Sequence, residues 1–413
     1  MRTFFRLLYH WLVRPHSILV TIVLFLFIGV LDLIRFNLHF LDPFNNGLKD
    51  YEVTDIVFSR LQDNNEVKWC DEVVLVNTGQ PDRERLIGML RRLHDFRPRA
   101  IGMDILLEED KDPVTDSILQ ATMEGIPNLV LATRLGEFDP RSEMFDLATG
   151  HHRYFLDGNL TGYTNFVSTD NMTVRMFSPF ERSIEGPIEA FAVAIAREAN
   201  PEAVRRLEAR GNPVERINYI GNESFMKVSG SDLLDPAFPG EEIFRNKIVL
   251  MGYIGEDSWA ESINDKLYTP LNPKYTGRAL PDMYGVVIHA NIIAMILNGN
   301  YIYDFPKWLV MILEILFTYV NVVMIHWIYR HFHVAFHPIT RTIQLVEFIL
   351  LFFLTAVLFH YFLFRLDLGS GILGLALAYD FVMIYESLLK IPMMRLYVRI
   401  RTRFFPTHPE TLM

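Results

Sequence analysis

One cysteine in 413 residues, Cys70, excludes an intramolecular disulfide and any cluster of cysteine metal ligands. The chain also lacks a G-x-S-x-G nucleophile elbow and an H-E-x-x-H zinc motif, and nothing around Cys70 marks it as a nucleophile. It therefore reads as a non-enzyme without a cofactor or resident metal. No repeat at a period of about 20–50 residues is visible, which excludes solenoids and propellers. Basic clusters are scarce through most of the length. From Leu41 to Asp304 there are 26 Lys and Arg against 42 Asp and Glu, a net of −16, while the rest of the chain sums to +6. Phosphate binding needs clustered cations, so nucleic acid is excluded as a partner.

Apolar residues, in contrast, are abundant. They make up 50% of the chain, Phe alone accounts for 32 residues, and the mean hydropathy is +0.17. The excess collects in four windows, Ser17 to Ile34, Trp308 to Ile325, Leu345 to Leu363 and about Asp367 to Leu388. Each approaches the roughly 20 residues that a helix needs to cross a bilayer. The first follows Arg2, Arg6 and Arg14 and ends in no small-residue cleavage site, as an uncleaved signal anchor does. Arg330 and Arg341 lie between the second and third windows, and Lys390, Arg395, Arg399, Arg401 and Arg403 follow the fourth. Positive charge stays inside. Both termini are thus expected in the cytoplasm and residues 41–305 outside, with Arg365 near the short outer turn.

The implied order is a cytoplasmic N-terminus with a membrane anchor (1–40), an extracytoplasmic domain (41–305), three transmembrane helices (306–390) and a short basic cytoplasmic tail (391–413). Some 25 residues follow Leu388, too few for the core of an output enzyme.

Within the outer domain, Val73 to Val76 reads as a strand, Asp82 to Leu93 as a helix and Arg99 to Leu107 as a second strand, a parallel βαβ unit. A helix at Thr115 to Met123, a strand at Asn128 to Ala132 and a long helix at Ile188 to Ala199 follow. Strands at Ile217 to Ile220 and Lys247 to Met251 and a helix at Val286 to Leu297 complete the pattern. The predicted class is α/β with a mainly parallel sheet, plus a four-helix transmembrane region. Gly136 to Phe180 lacks periodicity and reads as short strands and loops over one end of the sheet.

Three segments carry a resemblance: RAIGMDILLEED (Arg99 to Asp110), KIVLMGYIGEDSWAESINDKLYTP (Lys247 to Pro270) and MYGVVIHANIIAMIL (Met283 to Leu297). In this order, before three close spans, they resemble the second family of cyclase/histidine-kinase-associated sensory extracellular domains, the CHASE-type sensors of bacterial receptors. The matching residues are Asp104, Gly252, Thr269, Pro270, Gly285, His289, Ala290 and Asn291. The resemblance implies an extracytoplasmic sensory domain with one span before it and three after, feeding a kinase or cyclase. The chain departs from the pattern at VNTGQPDRER (Val76 to Arg85), which has neither the acidic run nor the Trp-Pro segment, and in its missing output domain. A stand-alone member is the expectation.

Asp104, at the carboxyl end of a parallel strand, would face the crevice where such sheets bind ligands, or would cap backbone N–H groups. His289 and Asn291 begin the last outer helix, and Asp265, Tyr268 and Thr269 lie on the loop before it. If these segments meet, they form an anion or proton site, or a network that pins the loop to the helix. The lone G-x-G-x-x-G, Gly369 to Gly374, falls in a span and does not signal a nucleotide. Gly374 and Ala378 there make a small-xxx-small pair for close helix packing. Glu314, Glu347, His360, Asp380 and Asp32 are ionisable residues within or at the ends of spans, where contacts between helices or subunits are the usual use and conduction a rarer one. His326, His331, His333 and His337 suggest an interfacial loop, with a metal as the weaker alternative. The sequons at Asn159, Asn171 and Asn222 are read as chance.

Functionally, the sequence points to a bacterial inner-membrane sensor, a homodimer or higher oligomer in the lipid bilayer that signals to a separate cytoplasmic enzyme. The other class it allows is an accessory subunit that docks other subunits of an envelope complex.

Overall fold

A computed structural model describes residues 15–37, 52–61, 68–107, 109, 111–147, 153–156, 158–166, 173–184, 186–255, 265–272, 280–332, 335–392 and 395. The chain divides into two units, one of Met1–Phe44 with Asp304–Met413 and the other of Asn45–Tyr303. The first begins with helix α1, Pro15–Asn37.

The second unit is built on six strands: β1 (Cys70–Asn77), β2 (Ala100–Met103), β3 (Leu129–Thr133), β4 (Leu160–Tyr163), β5 (Phe225–Ser229) and β6 (Ile248–Gly252). Their order is β5-β1-β6-β2-β3-β4, and every pairing in this sheet is parallel. The inner strands are buried along nearly their whole length, because helices cover both faces. Helices α2 (Arg83–Asp95) and α3 (Pro113–Glu124) place Leu86, Leu90, Leu93, Leu119 and Met123 against Val74, Val76, Ile101, Met103, Val249 and Met251 on one face. On the other, α4 (Phe191–Ala199) packs on β2, β3 and β4, and α6 (Gly285–Asn298) on β1 and β6. Helix α5 (Pro201–Arg210) packs against both α4 and α6.

Local chemistry sets the helix boundaries. Asp82 accepts the Arg85 N–H at 2.8 Å and Asp112 the Thr115 N–H at 2.9 Å, so carboxylates cap α2 and α3. Pro113 and Pro201 stand at helix starts, where the missing N–H costs nothing.

Four expectations are corrected. The strand expected through Leu107 ends at Met103, which leaves Asp104 just beyond it. The helix expected from Ile188 begins at Phe191, because Gly186–Glu189 pairs antiparallel with Phe180–Ser183. Ile217 to Ile220 is no strand; the outer position in the sheet belongs to Phe225–Ser229. The irregular stretch from Gly136 sends Leu160–Tyr163 into the main sheet, and a separate four-stranded sheet joins 135–139, 144–147, 180–183 and 186–189.

In the first unit, α7 (Lys307–His331), α8 (Phe336–Phe362) and the helix through Gly369–Pro392 are long and apolar enough to cross a membrane. The last comprises α9 (Gly369–Ile384) and a π turn, Tyr385–Leu389. Helix α1 is apolar over the shorter stretch Pro15–Leu31. It shares a core with α7 and α9 in which Val20, Leu24 and Ile28 meet Val322, Ile325, Ala378 and Val382.

Candidate functional site

The chain leaving β1 crosses to the face of α2, whereas the chain leaving β6 reaches α6 on the opposite face. Two neighbouring strands whose connections part in this way define the crevice where open α/β sheets take ligands, at the carboxyl ends of the strands. Asn77 ends β1 there. Its Oδ1 accepts N–H groups from Gly79 (3.2 Å) and Ile254 (3.1 Å), and its Nδ2 donates to the Gly255 carbonyl at 2.8 Å. One amide therefore laces the loops after β1 and β6, and the Thr78 N–H adds a bond to Gly252 O at 3.0 Å.

Asp104 lies beside this seam, with its N–H on Met251 O at 2.8 Å. Burial pushes its carboxyl up to about 6, and the nearby exposed Arg134 guanidinium opposes that rise. A cleft carboxyl that titrates near neutrality is the kind of group that functional sites use. Gly252 allows a close approach at this spot. A Cβ on it would stand 3.1 Å from Val286, in the first turn of α6, and 3.4 Å from the Asp104 Cβ. Tyr253 meets Tyr284 edge-on at 5.7 Å, and the Lys266 ammonium sits 5.0 Å from the Tyr284 ring centre.

The other candidates do not join Asp104 in one site. Thr269 binds Asp282, through its N–H at 2.9 Å and its hydroxyl at 2.5 Å, and Asn272 donates to the same carboxylate at 3.2 Å. Burial raises the Asp282 carboxyl against those bonds. Asp265, the acid expected near Thr269, is exposed. The Tyr268 carbonyl accepts the Val174 N–H at 2.8 Å.

Asn291 is fully buried and committed to backbone: Oδ1 accepts from Ile220 (2.8 Å) and Gly221 (3.3 Å), and Nδ2 donates to Gly221 O (3.1 Å) and Val287 O (2.9 Å). It supplies the hydrogen bonds that the irregular segment 217–221 does not get from a sheet. His289 lies between the Phe166 ring, stacked at 4.8 Å, and the Phe191 ring, edge-on at 5.3 Å. Burial lowers it to about 3, so it stays neutral through the physiological range and does not fit a proton sensor there.

A family model of the CHASE2 domain matches residues 18–324. The chain belongs to the CHASE2 family. Comparison with curated proteins and with solved structures found no match. The sensory class of CHASE2 domains, together with the three apolar helices, makes this a membrane sensor.

The sequence reading overlooked the polar junction at the ends of this CHASE2 domain. The short antiparallel ribbon of Met176–Phe177 and Glu215–Arg216 is flanked by charge. Arg175 grips Asp55 at 2.7 and 3.1 Å with both side chains at least nine-tenths buried. Arg216 binds Glu52 at 2.9 and 3.2 Å. Glu215 takes Arg210 at 2.6 and 3.1 Å, and that guanidinium covers the rings of Tyr301 and Tyr303 at 4.4 and 4.7 Å. Segments 52–55 and 301–303, the first and last described parts of the second unit, are thus fastened to one ribbon. Arginines spaced through a mostly polar stretch were the available signal, but their partners are as far as 164 residues away.

Among the span residues, the Glu314 carboxylate accepts the Gly371 N–H at 2.8 Å, at the first turn of α9, where free N–H groups favour an anion. A Cβ on Gly374 would lie 2.6 Å from the Thr318 hydroxyl, so α7 and α9 approach closely there; Ala378 is buried in the bundle core. Asp380 pairs with Arg341 at 3.2 Å, Glu347 binds Asn321, and His360 is exposed. The side chain of Asp32, His333 and Asn171 lie outside the described residues. The histidines do not gather: His331 bonds Trp327 O, His337 the Tyr379 hydroxyl, and His326 is buried inside the bundle, which corrects its assignment to an interfacial loop. Among the described residues no three His, Cys, Asp or Glu are placed to hold a metal.

Proposed function

We propose that this CHASE2 chain is a multi-pass sensor of the bacterial inner membrane, without catalytic chemistry of its own. Residues 41–305 lie in the periplasm, both termini in the cytoplasm, and α1 is the fourth span. The distribution of Lys and Arg supports this orientation. The packing of α1 into the core of α7 and α9 supports the fourth span.

A ligand class for the crevice emerges from its groups: a small polar molecule that meets Asp104 and Arg134 beside the Tyr253–Tyr284 wall. The single observation that carries a signalling role is the ribbon that holds both ends of the outer domain. A shift of that ribbon moves segments 52–55 and 301–303 together, and with them the connections that lead from the outer domain to α1 and α7. A bistable bundle can pass such a movement on. The signal then reaches a separate cytoplasmic enzyme, in a homodimeric or larger assembly.

The test is purification from native membranes in mild detergent, with mass spectrometry and mass photometry on one sample. A co-purifying kinase or cyclase in stoichiometric amount supports the proposal. A stoichiometric envelope protein and no signalling enzyme would replace it with a docking role for the outer domain.

A further inference from the structure

Helices α1, α7 and the π turn after α9 meet in a polar cluster that the sensor reading does not use. His16 and Ser17 come from α1, His326 from α7, Tyr385 and Glu386 from the turn. The side chains of His326 and Glu386 are 1% and 4% exposed. A π turn adds a residue to the helical repeat and re-aims the side chains beyond it, and such turns concentrate at functional sites.

The hydrogen count of the cluster turns on the tautomer of His326. His326 Nδ1 lies 3.1 Å from the Val322 carbonyl and 3.2 Å from Ser17 Oγ. With the ring hydrogen on Nδ1, donated to this carbonyl, the neutral imidazole keeps a lone pair on Nε2; in the other tautomer Nδ1 takes the Ser17 hydroxyl hydrogen and Nε2–H faces Glu386. That nitrogen stands 3.7 Å from Glu386 Oε1, and among the described residues neither atom has a hydrogen-bond partner. In the Nδ1–H tautomer two buried acceptors face each other, one hydrogen short. Their surroundings are otherwise paired. Glu386 Oε2 takes Lys390 Nζ at 2.5 Å, and His16 bonds the Tyr385 hydroxyl. Arg330 of α7 is the further cation that acts on His326, while His337 and Arg341 of α8 are taken by Tyr379 and Asp380.

We infer that His326 and Glu386 form a proton-binding site within the helix bundle. One proton from the aqueous phase, placed between Nε2 and Oε1, turns two facing acceptors into a charge-assisted hydrogen bond and raises the charge of the cluster by one. No other bond changes. Because Ser17 holds the same ring, uptake fastens α1, α7 and the π turn together, and proton concentration becomes an input to the bundle independent of any ligand of the outer domain.

Glu386→Gln supplies the missing hydrogen without a proton, since its amide N–H can donate to Nε2. In nanodiscs, the full chain with Glu386→Gln is expected to melt about 2–4 °C above the unmodified protein at pH 8, the shift that a bond of ordinary strength produces. At pH 5.5 the difference should close. The variant also leaves Lys390 Nζ facing a neutral amide oxygen in place of a carboxylate, but that loss is the same at both pH values, so the pH dependence of the difference is the readout. A difference that is absent, or equal at both pH values, overturns the proposal. If the variant does not fold, 15N-histidine NMR of the unmodified protein decides. His326 Nε2 must gain a directly bonded hydrogen between pH 8 and 5.5, and an unchanged ring overturns the site.

Discussion

The two units bury opposite things. In the unit built on the sheet, the strands and helices hide Val, Leu, Ile and Met, and the charged groups drawn inside, such as Asp55 and Arg175, hold one another. In the helical unit Leu345, Leu350, Phe353 and Tyr361 face outward, while Thr318, Asn321, His326, Thr340 and Gln344 lie inside. Water drives the first arrangement through the hydrophobic effect. Lipid gives apolar side chains no reason to turn inward, so close packing and hydrogen bonds between helices decide the second. Polar residues consequently do different work: outside the membrane they fasten loops to a core made by apolar burial, and in the bundle they are much of what makes one helix pairing better than another.

The strongest way to break this comparison is to remove one partner of a buried pair in the sheet unit. Arg175→Met leaves the buried Asp55 carboxylate without its counter-ion, held by the Glu52 N–H, and should cost about 3–5 kcal/mol in chemical denaturation of the full chain. Adding Asp55→Leu should restore most of that loss; a double variant as unstable as the single one would mean that the ribbon needs the charges themselves. Asn291→Leu comes next. It leaves the Ile220 and Gly221 N–H groups without their acceptor, at about 1–3 kcal/mol for each buried group, and hydrogen exchange at these two amides should accelerate before global unfolding does.

For the bundle, Gly374→Val forces α7 and α9 apart at Thr318 and should cost about 1–3 kcal/mol, seen as a lower melting temperature in nanodiscs. An unchanged temperature would show that the close approach at Gly374 does not hold the pair. The smallest effect is the pH dependence of the sheet unit. Asp104 titrates at about 6 when folded and near 3.9 when unfolded. Its contribution to stability is therefore complete below about pH 4 and is lost as pH rises through 6. Asp104→Asn should gain roughly 1–2 kcal/mol at pH 7, discounted for partial exposure, with no gain at pH 4. His289 runs the other way. Its folded value near 3 lies below the usual 6.5, so stability present above pH 6.5 is lost as pH falls toward 3, and His289→Phe should remove that acid sensitivity. Identical melting profiles from pH 3 to 7 for each variant and the unmodified chain would refute both assignments.

Much of the α/β fold was legible because its signals are local. Apolar runs such as Val73 to Val76 mark inner strands, and Asp82 and Asp112 announce the helices they cap. Strand β5 was hidden, since only Phe225 and Val228 of its five residues are buried and the apolar run is missing. The segment 217–220 misled for the opposite reason. Ile217 and Tyr219 are buried like strand residues, but Asn291 rather than a neighbouring strand satisfies the backbone at Ile220. In the site, Asp104 was found at a strand end, whereas Asn77 and Arg134 went unnoticed and Asp265 stood in for Asp282, thirteen residues past Thr269.

The sequence by itself determined the kinds of solvent that this chain meets, the alternation of strands and helices outside the membrane, and its membership of the CHASE2 family. Burial depends on the local spacing of apolar side chains, and that spacing can be read along the chain. Only the tertiary structure decided which polar group answers which. Asn77 with Gly255, Arg216 with Glu52 and His326 with Ser17 are separated by 178, 164 and 309 residues. A hydrogen bond requires its atoms within about 3 Å and aligned, a condition that folding alone creates.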